Sequence, residues 1–160
     1  MFSSVDLLNA TLSHSGNISY RTKTSTGFLG RKATSLTLIE GTKQRVVGGI
    51  DWREKTLVIE GKTWALFDLK SRTAGPSNTL RVWHWAGKQW TAVSARQLVP
   101  LVTFNQWVQR IFKSSQAATI EFHTKLSDTH IVFFLLAMIY SEIRWQDDEV
   151  DGHLKGELSD

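Results

Sequence analysis

The chain has no cysteine among its 160 residues, which excludes disulfides, thiolate metal sites and a cysteine nucleophile and suits a reducing compartment. It also has no apolar run of bilayer length. The longest, 131–140, is ten residues; as a helix it rises about 15 Å, half the roughly 30 Å of a hydrocarbon core, so no transmembrane segment is expected. The opening Met1-Phe2-Ser3-Ser4-Val5-Asp6 lacks the basic start and continuous apolar stretch of a secretory signal, so the expected location is cytoplasmic. His14, His84, His123, His130 and His153 show no metal-binding helical spacing, and no serine sits in a nucleophile elbow. Gly27-Phe28-Leu29-Gly30-Arg31-Lys32 carries glycines and cations without the P-loop pattern, and reads as a flexible loop able to touch an anion. No cofactor or metal is expected, and no internal repeat is visible.

What is present is ordinary globular composition, 41% hydrophobic and 21% charged, in an amount that suits one domain. The net charge of +4 conceals an asymmetry: residues 1–126 hold seventeen Lys/Arg against seven Asp/Glu, and residues 127–160 hold two against eight. The basic body could attract phosphates, anionic lipid or nucleic acid, although such a surface also serves plain solubility. Residues 1–146 are expected to form the domain, and the acidic, apolar-poor 147–160 a flexible tail.

Up to about residue 124 the apolar residues alternate with period two, the pattern of strands with one buried face. Ile18, Tyr20 and Thr22 alternate with Ser19, Arg21 and Lys23, and Leu36 and Leu38 with Ser35 and Thr37. Further strands are expected at 45–52, 56–60, 63–69, 80–85, 89–93, 99–112 and 119–123. Glu40-Gly41, Glu60-Gly61-Lys62, residues 74–78 and Ala86-Gly87-Lys88 supply tight turns between them, as an antiparallel meander requires. Gly48-Gly49 inside a strand indicates a bulge or a close approach of backbones.

Ser127 or Asp128 can cap a helix over 127–145, whose 131–140 segment has no polar stripe. A helix that is apolar all round must be covered all round. The fold class expected is therefore mainly β: a closed antiparallel barrel of about 10–12 strands around a central, buried, C-terminal hydrophobic helix at about 128–145. Glu142 and Arg144 are expected to emerge at the barrel rim, solvated or paired.

Asn17 to Thr24 as an early strand, Gly49-Ile50-Asp51-Trp52 followed by Leu57 to Lys62, Arg81-Val82-Trp83-His84-Trp85, and Ile120-Glu121-Phe122 leading to Asp128 and the apolar helix together resemble the tubby C-terminal-like superfamily, which includes LURP-one-related proteins and phospholipid scramblases. Within it the chain looks most similar to an uncharacterised family of small proteins from mushroom-forming fungi. The resemblance spans most of residues 5–145 and implies a roughly twelve-stranded barrel around a central helix. It implies little about activity, because members of the superfamily differ. The basic pattern with which tubby domains bind phosphoinositides is not recognisable here.

Seven tryptophans, at 52, 64, 83, 85, 90, 107 and 145, are a high load, most of it expected in packing. Trp83 and Trp85 share a strand face with Arg81, and Trp90 lies across a short turn, so these four are the candidate ligand-binding residues. If that face points outward it suits an apolar or planar ligand or a protein partner. His84 and Asp51 are the nominees for acid–base chemistry. Two functions follow as expectations. One is a tubby-like binding domain that offers an aromatic and basic surface to a small apolar or anionic ligand, a lipid headgroup or a protein. The other is an enzyme acting on an apolar small molecule in a tryptophan-lined pocket at the barrel mouth. Nucleic acid is not an expected partner: aromatics interleave with cations only across 81–88, and the acidic end opposes it.

Overall fold

The computed structural model describes the chain except for residues 5, 14–17, 29, 67–79, 87–88, 95–98, 107–116 and 157–160, and describes the backbone alone at 80–86, 94 and 149–156. Among the described residues, ten strands and one helix follow a short 3-10 turn at Leu7–Asn9. Strands β1 (Thr11–Ser13), β2 (Ile18–Gly27), β3 (Gly30–Glu40), β4 (Lys43–Asp51), β5 (Thr56–Ile59) and β6 (Lys62–Ala65) pair in sequence order as one antiparallel sheet. Strands β7 (Leu80–Ala86), β8 (Gln89–Ser94), β9 (Pro100–Asn105) and β10 (Thr119–Phe122) form a second meander, and helix α1 (Asp128–Gly156) closes the chain.

Four of the five alternating residues are where their pattern puts them. Tyr20 pairs with Leu38 and Thr22 with Leu36 in the β2–β3 ladder, and all four are buried; Ile18, at the strand's start, is exposed. Turn chemistry is equally local. Glu60 and Gly61 have φ of 50° and 74°, the two left-handed residues of a type I′ loop, and join β5 to β6 at the Ile59–Lys62 pair. At Gly48-Gly49 both expectations hold. The β3–β4 register shifts as Leu36 pairs with Gly48 and Thr37 with Val46, a bulge at Val47. A Cβ on Gly48 would lie 3.0 Å from side-chain carbons of Leu136 and Val132, and one on Gly49 2.7 Å from the Thr34 carbonyl. The glycines let β4 approach both its neighbour and the helix.

Helix α1 is buried on every side from Val132 to Ile139, each residue 3% exposed or less. Each large side chain so buried contributes roughly 1.5–3 kcal/mol. The cover comes from both sheets: Leu36, Ile50, Leu57 and Ile59 of the first and Ala92, Val102 and Phe104 of the second join the helix in one apolar core.

The sheets do not close into a barrel, which corrects the expected fold class. They are two separate antiparallel sheets. Between β1 and β10, instead of a ladder, Phe2 makes an isolated bridge to Leu12 and donates its backbone N–H to the Ala118 carbonyl at 2.9 Å. The physical reason is that an all-apolar helix demands contact on every side, and contact does not require continuous hydrogen bonding around it. Edge strands of three residues (β1) and four residues (β6, β10) are too short to carry a ladder round. The helix also runs to Gly156, past the expected end near 145. Strands β6 and β9 end at Ala65 and Asn105, and the remainders of the expected 63–69 and 99–112 strands lie largely outside the described residues.

Candidate functional site

The polar residues that follow the buried core of α1 face two different ways. Tyr140, Arg144 and Asp147 follow helical i, i+4, i+7 spacing and lie on one face; Glu142 and Gln146 lie on another.

On the first face, Tyr140 stacks on Trp52 with ring centroids 5.7 Å apart and planes inclined by 30°. Trp52 is held by the β4–β5 loop. There Asp51 accepts hydrogen bonds from the backbone N–H groups of Arg53 and Glu54, both at 3.0 Å, and Lys55 closes the loop with a left-handed φ of 53°. The Trp52 indole N–H donates to Thr34 Oγ1 at 2.8 Å, which fixes the ring. Arg31, near the start of β3, places its guanidinium 5.6 Å from the Trp52 ring centroid and reaches both carboxylate oxygens of Asp147 at 2.7 and 3.0 Å. Those bonds raise the Arg31 pKa above its ordinary value, with burial opposing. Of the 27–32 segment, expected as a loop, Gly27 ends β2 and Gly30-Arg31-Lys32 open β3.

Between these groups lies a cleft of about 460 Å³ lined by Arg31, Trp52, Lys55, Tyr140, Arg144 and Asp147, with Thr26 and Gly30 at its side. Arg31 is engaged by Asp147 and Arg144 approaches Asp148 at 3.4 Å. No hydrogen bond or ion pair ties the Lys55 ammonium to another of the described residues. The cleft therefore combines a flat aromatic stack with an uncompensated cation, an arrangement able to hold an anion that carries a planar or apolar body.

On the other face, Glu142, expected at the rim and either solvated or paired, is 3% exposed and so is partnered inside the protein and not at a rim. Its Oε2 accepts the Trp90 indole N–H at 3.0 Å, and its Oε1 accepts the side-chain amides of Gln106 at 2.6 Å and Gln146 at 2.8 Å. The helical spacing was a signal for this: Glu142 follows Leu135, Met138 and Ile139 by seven, four and three residues and shares their side of the helix.

Of the sequence-nominated residues, Trp90 is half-buried against the core and bonded to Glu142, and is the Cα partner of Trp85 in the β7–β8 ladder. Arg81, Trp83, His84 and Trp85 lie on β7, and their side chains fall outside the described ones. Asp51 serves its own turn. The Trp52–Tyr140 cleft was missed as a unit, because its parts come from three distant stretches of chain; the glycine- and cation-bearing 27–32 segment was the one local signal. Among the described residues no three His, Asp or Glu side chains gather as metal ligands would, and no helix is long and apolar enough to cross a membrane. Comparison of the chain with protein-family models, with curated proteins and with solved structures gives no match.

Proposed function

We propose that this chain is a non-enzymatic binding domain that takes a small anion with a planar or apolar body in the cleft between the end of β2 and start of β3, the β4–β5 loop and α1. The observation that carries the reading is Lys55, a cation without a carboxylate partner among the described residues, beside the Trp52–Tyr140 stack. At about 460 Å³ the cleft falls within the usual range for small-molecule sites, roughly 300–1,000 Å³. Kinship with the tubby C-terminal-like superfamily belongs to the same proposal. It is supported by the order of a strand-rich body followed by one apolar helix, and not by the open sheets. A cytoplasmic location is proposed with it, supported by the absence of cysteine.

Calorimetric titration with benzoate, with inorganic phosphate, and with phosphatidylserine vesicles against phosphatidylcholine vesicles tests the reading and separates a free anion from a lipid headgroup. Benzoate is expected to bind saturably. Lys55→Asn keeps a residue that tolerates the left-handed backbone and should weaken that binding at least about tenfold, the equivalent of about 1.4 kcal/mol. Equal binding by wild type and Lys55→Asn, or no saturable binding of any probe, overturns it.

A further inference from the structure

Glu142 is in an uncommon position for a carboxylate. It is almost wholly buried, and its three partners, Trp90, Gln106 and Gln146, are all neutral donors. The ion pairs among the described residues are Arg31–Asp147 and Arg144–Asp148, so no described cation balances Glu142. Three donors converging on two oxygens suit an acceptor-only group, which is the ionised form. An ionised carboxylate taken out of water is costly unless a positive charge joins it.

Beside that carboxylate is a cavity of about 190 Å³. It is lined by Leu7, Phe104 and Ala118, all buried, and by Gln106, Trp145 and Gln146. The volume corresponds to roughly six waters at about 30 Å³ each. It also accommodates an aliphatic chain of about four carbons ending in a charged nitrogen. Such a molecule matches both kinds of lining residue, the carboxylate and the apolar side chains. The ammonium completes the charge of Glu142 and uses its remaining lone pair, and the hydrocarbon meets Leu7 and Phe104.

We infer that this cavity is a binding site for a small organic cation, an alkylammonium, with Glu142 as its counter-ion. It lies on the face of α1 away from the Tyr140–Arg144–Asp147 cleft and takes the opposite charge, so it stands independently of the function proposed above.

The probes are n-butylammonium and its neutral counterpart butan-1-ol, titrated calorimetrically and by thermal shift. n-Butylammonium is expected to bind wild type saturably and raise its melting temperature, and butan-1-ol to bind at least about tenfold more weakly. Glu142→Gln keeps the shape and removes the charge, and should lose at least that factor for n-butylammonium alone. Ala118→Leu adds side-chain volume at a lining residue other than Glu142, and should abolish binding while the protein still melts cooperatively. No saturable binding to wild type, equal affinity for the ammonium and the alcohol, or undiminished ammonium binding by folded Ala118→Leu each overturns the inference.

Discussion

Trp90 on β8 donates its indole N–H to the buried carboxylate of Glu142 on α1 at 3.0 Å, so a neutral donor of the four-stranded sheet is bonded to a charged acceptor on the helix. Because the acceptor is charged and 3% exposed, the bond is of the stronger kind, and losing its donor costs more than losing a surface contact. Trp90→Phe keeps an aromatic ring and removes the N–H. It should lower unfolding free energy by about 1–3 kcal/mol, read from urea denaturation, and the loss should shrink when the same change is made in Glu142→Gln. An unchanged loss in that background means the two side chains are not coupled.

Gly49 presents a case in which space decides. An added methyl would lie 2.7 Å from the Thr34 carbonyl oxygen, and that oxygen belongs to backbone in the middle of β3, which cannot move without disturbing the ladder. Gly49→Ala should destabilise by about 1–3 kcal/mol. Gly61→Ala meets no such neighbour, and its cost comes from its left-handed φ of 74° alone. Denaturation midpoints of the two variants test the comparison, and a Gly49→Ala protein as stable as wild type contradicts the close approach.

Leu135 is 1% exposed at the centre of the helix, between buried neighbours on both sides. Leu135→Asp places an unpaired carboxylate there and should abolish cooperative melting, by a penalty comparable with or larger than the about 5–15 kcal/mol that holds a typical domain together. A soluble Leu135→Asp protein with a sharp calorimetric transition would show that the helix is not the organising element of the core.

Tyr20 ties stability to alkaline pH. Burial of the phenol is the main cause that raises its pKa above the usual 10.0, the Asp128 charge adds to the rise, and Arg45 opposes it. The folded chain thus holds this proton to higher pH than the unfolded chain does. The resulting stability is complete below about pH 10 and is lost as pH climbs from there through the folded value. Tyr20→Phe removes the group that titrates and leaves the lysines unchanged, so its stability should fall less steeply above pH 10 than that of wild type. Parallel slopes in urea melts between pH 9 and 11 would count against the assignment.

By itself the sequence determined what is short-range. The alternation at Tyr20, Thr22, Leu36 and Leu38 set which faces of β2 and β3 are buried. Glu60-Gly61 set a hairpin, Gly48-Gly49 a bulge and a close approach, and the absence of a polar stripe at 131–140 set a helix hidden from water. Each of these depends on residues within a few positions of one another, where backbone conformation and solvent exposure are constrained directly.

The tertiary structure decided what covers what. The apolar helix required cover without specifying its connectivity, so a barrel and two open sheets satisfied the same pattern. Arg31 meets Asp147 across 116 residues and Trp90 meets Glu142 across 52; nothing in local periodicity sets such pairings. Glu142 illustrates the limit most plainly. Its polarity placed it at a rim, solvated or paired, yet it lies buried and three donors, two of them from the second sheet and its continuation at Gln106, hydrogen-bond the carboxylate inside the protein. Only the packed fold brings such partners to one point.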